Sequence, residues 1–279
     1  MTTTPLRPDQ AIESNFPSLK RRSYRIRFPR PDDPLTQDTE WCEVFLDDEW
    51  RTFRFHDYSE IYSIPGLYER LFYKTLKCSS PLKVVDLLAE TVAEYDVRPE
   101  ELRVLDVGAG NGMVGQRLHE LGVEEVVGID IIPEAAAATD RDRPGMYDDY
   151  IVGDLTELRD EQRSRIEAAG VNCMTVVAAL GFGDIPVRAF TSAYNFVEPG
   201  GWVAFNLKEQ FVDLEDSTGF AKLIRRLTES DMLRMHSYRR YCHRLSVSGE
   251  RLYYVAMVAR KRADVGEELI QQVLTEAAA

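Results

Sequence analysis

Apolar residues along this 279-residue chain change their spacing at about Leu102. Beyond it, short apolar runs alternate with longer helix-like stretches, the arrangement of β-α-β units around a mostly parallel sheet. The runs Arg103 to Val107, Glu125 to Ile129, Tyr150 to Val152, Cys173 to Ala178 and Trp202 to Leu207 predict strands. Between the first two, Val114, Leu118 and Leu121 mark the buried stripe of a helix. His236 to Leu245 and Arg251 to Ala259, joined across Ser248-Gly249, predict a terminal antiparallel hairpin, and the residues after Ala263 a short helical tail.

Before Leu102 the pattern differs. Val84, Val85, Leu88 and Val92 give one apolar face to a helix from about Pro81 to Tyr95, and Pro is acceptable at a first helical position. Ile61, Leu67, Leu71, Phe72 and Leu76 recur at roughly helical spacing from Tyr58 to Leu76, with a break expected at Pro65-Gly66. Cys42 to Leu46 and Arg51 to Phe55 predict two short strands around the acidic turn Asp47-Asp48-Glu49. Residues 1 to 40, with the run Pro29-Arg30-Pro31-Asp32-Asp33-Pro34, read as an arm. The expected division is therefore an arm and hairpin over 1–57, an α/β domain over 58–262 and a helical tail over 263–279.

Composition fits a folded chain: 44% of residues are hydrophobic and 29% charged. A formal net charge of -13 repels nucleic-acid phosphates, so such binding needs a local basic surface. Basic residues do cluster, at Lys20, Arg21, Arg22, Arg25, Arg27 and Arg30, and again at Arg225, Arg226, Arg234, Arg239, Arg240 and Arg244. Solvated faces are the simpler account. Tyr24, Phe28, Tyr238 and Tyr241 interleave with them, as they would in half-buried strands or in a stacking surface for single strands. Nucleic acid is not the expected partner. Cys42, Cys78, Cys173 and Cys242 lack the paired spacing of a zinc site or disulfide framework, which fits a reducing cytosol. The start has no signal pattern and no apolar run spans a bilayer, so a cytoplasmic protein without a membrane partner is expected. The oligomeric state is not legible.

The chemistry concentrates where the first predicted strand ends. Asp106-Val107-Gly108-Ala109-Gly110-Asn111-Gly112 leads at once into a helix, and glycines let the backbone turn sharply and a ligand approach closely. In open α/β sheets such a turn borders a ligand crevice. Met113 occupies the place of the third glycine of the nicotinamide fingerprint, and Gly112 precedes it, which favours S-adenosylmethionine over a dinucleotide. Asp130 ends the second strand, where a carboxylate can accept from both hydroxyls of an adenosine ribose. Its loss is expected to weaken cofactor binding while changing stability little. Ile131 could pack on one adenine face. After the third strand, Asp154 could accept from the adenine amino group and Leu155 pack on the ring.

Val104-Leu105-Asp106-Val107-Gly108-Ala109-Gly110-Asn111-Gly112, Gly128-Ile129-Asp130, Gly153-Asp154-Leu155 and Val197-Glu198-Pro199-Gly200-Gly201 together resemble motifs I, II and III and the strand-five turn of class I S-adenosylmethionine-dependent methyltransferases. Met146-Tyr147-Asp148-Asp149-Tyr150 ahead of Gly153-Asp154-Leu155-Thr156-Glu157 is similar to the Williams-Beuren-region methyltransferase subfamily. The resemblance implies a Rossmann-like, seven-stranded, mostly parallel sheet with a terminal antiparallel hairpin, preceded here by an N-terminal extension. It implies a cofactor lying across the carboxyl ends of strands one to three, and a substrate approaching from the loops beyond strand four. Asp106, Gly108, Ala109 and Gly110 would then flank the methionine portion, with Tyr58 or Tyr62 closing over it.

Methyl transfer from a sulfonium is an in-line displacement, so alignment and exclusion of water dominate, and a base is needed only if the acceptor must lose a proton. The loop Ala178 to Pro186 lacks the Asn/Asp-Pro-Pro-Tyr segment of amino-methylating enzymes, and there is no Pro-Cys nucleophile. Asp184 is the best-placed acid–base residue, although the same position suits a cap for a helix starting near Pro186. His56, His236 and His243 are further candidates without a geometry that spacing can supply. No metal constellation emerges, so no metal is expected. A small-molecule methyltransferase leads, followed by one acting on RNA or protein, then a non-catalytic S-adenosylmethionine-binding protein. A dehydrogenase is opposed by the loop spacing.

Overall fold

A computed structural model describes residues 24–30, 35–180, 184–212 and 219–278. Lys20, Arg21 and Arg22 of the basic arm, and Gly181-Phe182-Gly183 of the loop before Asp184, lie outside the described residues.

The chain opens with a small antiparallel sheet, β1 (Ile26–Arg27), β2 (Trp41–Leu46) and β3 (Glu49–Arg54). The β2–β3 hairpin turns at Asp47 and Asp48, both at positive φ (49° and 66°), a conformation that suits a tight hairpin. Within the stretch read as an arm, a short strand forms. Ile26 pairs with Val44, because Tyr24, Ile26 and Phe28 alternate inward while Arg25 and Arg27 lie over the rings of Phe45 and Trp50.

Helix α1 (Tyr58–Ser63) follows, then the expected break, with Gly66 at φ +73°. Beyond it the chain forms α2 (Glu69–Thr75), whose turns are π-helical rather than α-helical. Leu76 N–H donates to Leu71 O five residues back. This wide coil lets Glu69, Leu71 and Phe72 all be buried. Phe53 and Phe55 pack with Ile61, Leu67 and Leu71, so the small sheet and this helical segment share one core.

After α3 (Ser80–Ala93) comes the main sheet. Its strands are β4 (Arg103–Val107), β5 (Glu125–Asp130), β6 (Asp149–Val152), β7 (Cys173–Val176), β8 (Trp202–Lys208), β9 (Leu233–Leu245) and β10 (Arg251–Lys261). The order is β6-β5-β4-β7-β8-β10-β9, parallel from β6 through β8 and antiparallel at β10 and β9, as the sequence pattern anticipates. Strands buried on both faces explain the near-continuous apolar runs. Leu105 and Val107 face a core completed by α6 (Asp160–Ala168), α7 (Val187–Phe196), α8 (Phe220–Glu229) and α9 (Glu267–Ala278). Val104 faces the opposite core with α3 and α4 (Met113–Glu120). The remaining helix, α5 (Pro133–Asp142), packs Ala135 and Ala138 against Tyr62. Strand β7 stops at Val176, short of the predicted Ala178: Ala178 takes φ +56°, and its N–H donates to the Asn206 side chain instead of a ladder. Among the described residues no helix is long and apolar enough to cross a membrane.

Candidate functional site

A cavity of about 340 Å³ lies at the carboxyl ends of β4 to β7. Strand β4 is flanked by β5 on one side and β7 on the other, so chain connections diverge there and leave a crevice. One wall comes from strand ends: Val107 and Gly108 after β4, Ile129 to Ile132 after β5, and Gly153, Asp154 and Leu155 after β6. The other comes from His56, Tyr58, Tyr62 and Tyr68, with Ala178, Ala179 and Asp184 beyond β7.

The glycine turn is held by backbone bonds. Gly108 N–H and Ala109 N–H both donate to Ile129 O, at 2.9 and 3.1 Å. Gly108 stands at φ +68°, and a Cβ there would meet Ala179 at 3.0 Å and Ile185 at 3.2 Å. At Gly110 (φ +55°) a Cβ would meet the Tyr62 hydroxyl at 2.6 Å. Both positions therefore require glycine, and the second lets Tyr62 close down on the turn.

Asp130 Oδ2 accepts from Gly110 N–H and Oδ1 from Ile132 N–H, each at 2.9 Å. A carboxylate offers about four lone-pair sites, so two amides fix its orientation without exhausting it. Burial raises the Asp130 carboxyl above its ordinary value, and the hydrogen bonds from Ile132 and Gly110 act against that rise. Ile131 beside it is 59% exposed, unusual for a large apolar side chain. Asp154 Oδ1 accepts from the Thr156 N–H and hydroxyl, closing a local turn at the cavity edge.

Of the residues singled out in sequence, the cavity brings together Tyr58, Tyr62, Gly108, Asp130, Ile131, Asp154, Leu155 and Asp184. Ala109 and Gly110 lie behind its lining, the latter under Tyr62. Asp106, expected beside the methionine portion, is instead buried behind the turn. In the sheet register it sits between Gly128 and Thr175. Thr175 Oγ1 donates to its Oδ1 and Tyr147 hydroxyl to its Oδ2, both at 2.7 Å. The bare Cα of Gly128 makes room for the Tyr147 ring. Burial pushes the Asp106 carboxyl up to about 7 despite those two donors. Asp184 does not cap α7, whose N-cap is Pro186; its Oδ1 lies 3.2 Å from His56 Nδ1.

Other residues emerge only in three dimensions. Tyr150 hydroxyl and Thr139 Oγ1 both donate to Gly110 O, at 2.7 and 2.9 Å. Fully buried Arg143 donates to Glu69 and to Asn111 O, while Asn111 Nδ2 also donates to Glu69, tying α2 to the glycine turn. Tyr147 and Tyr150 were visible as a motif, but their spacing gave no sign of what they hold. Of the other histidines, His243 is buried and bonds Ser80 Oγ at 2.6 Å, and His236 bonds Tyr95 hydroxyl on the far side of the sheet.

Residues 105–205 match the family model described as "Methyltransferase domain". The chain is 29% identical over 136 residues to a ubiquinone biosynthesis O-methyltransferase of Bordetella avium, covering 48% of this chain and 52% of that protein. It is 32% identical over 126 residues to the protein of that name from Xanthomonas axonopodis pv. citri, covering 43% and 50%. The chain thus spans about half the length of the curated relatives it matches. Among solved structures, magnesium protoporphyrin IX methyltransferase from Synechocystis aligns over 66% of this chain and 79% of its own, at 13% identity and a TM-score of 0.44.

Proposed function

We propose that the chain is a class I S-adenosylmethionine-dependent methyltransferase acting on a small-molecule acceptor. The observation that carries this reading is the placement of Asp130. Its carboxylate ends β5 at the cavity wall, pinned by two backbone amides and retaining acceptor capacity. The site suits the cofactor: Gly108 keeps the wall open where a Cβ would fill it, Asp130 suits ribose hydroxyls, and Ile131 with Leu155 offers apolar faces for adenine. When bound, the cofactor supplies an electrophilic methyl group on a sulfonium. The residues of the chain hold it, and Tyr58, Tyr62 and Tyr68 exclude water from the opposite side.

The matched methyltransferase domain supports methyl transfer, and the names of the two curated relatives support a small acceptor. Among the described residues, most of the late basic cluster lends little to an RNA reading. Arg225, Arg226, Arg239, Arg240 and Arg244 each pair with a glutamate, and Arg27 with Glu43. Charges so neutralised contribute weakly to phosphate binding. Calorimetry with S-adenosylhomocysteine and NAD tests the cofactor: saturable binding of the former alone is expected. Saturable NAD binding without a response to S-adenosylhomocysteine would overturn the reading.

A further inference from the structure

A run of hydrogen bonds leads from the main cavity to β9, and its direction follows from the donors. Ala178 lines the cavity, and its N–H, which can only donate, reaches Asn206 Oδ1 at 2.7 Å. That contact fixes the Asn206 amide, so Nδ2 donates to the Tyr241 hydroxyl at 2.8 Å. Tyr241 then gives its own proton to Ser80 Oγ at 2.7 Å, and Ser80 gives its proton to His243 Nδ1 at 2.6 Å. In this order every proton of the run has an acceptor, whereas the reverse order would strand the Tyr241 proton in the core. It assigns His243 the tautomer with Nδ1 bare and the proton on Nε2. Burial, and then the charge of Arg244, hold the imidazole well below the ordinary histidine value, so the ring is neutral.

The ring is also fixed in place. It lies against Tyr254 with centroids 4.1 Å apart, and the Tyr254 hydroxyl accepts from Gln37 Nε2 at 2.7 Å. The His243 carbonyl accepts from Ser79 N–H at 2.9 Å, and Cys78 Sγ lies 3.9 Å from Nδ1. Among the described residues no group pairs with Nε2. His243 lines an annex of about 50 Å³ that shares Tyr58, Tyr68 and Ala178 with the main cavity. Arg244 beside it is paired with Glu40 and bonded to Leu245 O. Asp184, which borders both spaces, disfavours an anion there.

We propose that His243 is a specificity residue of this site: its Nε2–H donates into the annex and selects methyl acceptors that place an uncharged hydrogen-bond acceptor there, such as a carbonyl oxygen. The inference rests on the methyltransferase reading above. Phe55, Phe72 and Leu180 give the annex apolar walls, so a ligand without such an oxygen leaves the N–H unpaired, and that loss sets the discrimination. His243 touches the acceptor and takes no part in the bond changes. Asn206, Tyr241 and Ser80 act through it as positioning residues.

The test uses the full chain saturated with S-adenosylhomocysteine, and acetophenone, α-methylstyrene and benzoate as probes. The first two differ only in C=O against C=CH2, and benzoate carries a charge. Nitrogen NMR of isotope-labelled histidine, with His243 assigned by its loss in His243→Phe or its shift in Ser80→Ala, should show the neutral Nε2–H form in the wild type. Ser80→Ala should show mixed tautomers. Acetophenone should move the Nε2 signal and bind more tightly than benzoate. Its preference over α-methylstyrene should fall by about 10- to 100-fold in His243→Phe, a change that a merely structural role would not produce. Phenylalanine keeps a ring against Tyr254; if that variant does not fold, Ser80→Ala carries the comparison, with a smaller loss of the same preference. An Nδ1–H form in the wild type, an Nε2 signal indifferent to acetophenone, tighter binding of benzoate, or an unchanged preference in the folded variant would overturn the proposal. Calorimetry separates the two levels: failure of the wild type to bind S-adenosylhomocysteine sinks the methyltransferase reading. Normal binding by the wild type alongside any of those outcomes sinks only the role of His243.

Discussion

The two walls of the cavity are built on different principles. The wall at Gly108, Asp130 and Leu155 is made by turns after consecutive parallel strands, and its polar groups are fixed by main-chain hydrogen bonds within those turns. The opposite wall, His56, Tyr58, Tyr62 and Tyr68, is made of side chains from a segment that precedes the sheet, and the three tyrosines are placed by packing with Ile132, Ala135 and Ala138 at α5 as well as by that segment's own core. The strand-end wall tolerates no side chain at Gly108 or Gly110, where a Cβ would collide, whereas the opposite wall can be altered residue by residue. On the proposed reading, the strand-end wall would hold the cofactor and the side-chain wall would face the acceptor.

The joint between the walls is the place to break that contrast most severely. Buried Glu69 accepts from Arg143 and Asn111, so Glu69→Ala leaves a fully buried guanidinium without its carboxylate. A loss of about 3–5 kcal/mol of stability is expected, with Glu69→Gln milder because it keeps an acceptor for Asn111. Urea unfolding of the three proteins measures it; a loss of under about 1 kcal/mol would mean that the walls are not joined through this pair.

A smaller effect sharpens the account of the strand-end wall. Asp130→Ala should weaken S-adenosylhomocysteine binding by about 1–3 kcal/mol, since ribose hydroxyls lose a charged acceptor. Contrary to the expectation from sequence, stability should fall too, because the Gly110 and Ile132 amides lose their acceptor. Calorimetry and thermal melts read the two losses separately, and a normal affinity in a folded Asp130→Ala protein would remove Asp130 from the cofactor site.

The smallest change is expected at Ile131, already 59% exposed. Ile131→Ala should cost up to about 1 kcal/mol of S-adenosylhomocysteine affinity through lost apolar contact, with stability within about 0.5 kcal/mol of the parent. Equal affinities would leave Ile131 as an exposed side chain outside the adenine face.

The strand-end wall was largely legible in sequence, because its signals are local. Apolar runs, a glycine turn and an acidic residue at a strand end lie close together, and Gly108, Asp130 and Leu155 stand where those signals put them. Asp106 shows where local reading runs out. Its place before the glycines suggested a cavity residue, but the register of β4 against β5 and β7 turned its carboxyl toward Thr175 and Tyr147. Tyr24 and Phe28 suited a half-buried strand as well as a stacking surface, while the prolines that follow led the stretch to be read as an arm; Ile26–Arg27 forms a short strand there.

By itself, then, the sequence determined the alternating α/β order, the antiparallel hairpin at its end and the glycine turn after β4, since each depends on periodicity or turn chemistry within a few residues. Only the tertiary structure decided that His56 meets Asp184, that Glu69 reaches Arg143 and that Tyr62 covers Gly110. Those contacts join segments far apart in the chain, and no local pattern encodes which buried side chains will face one another once separate cores have packed.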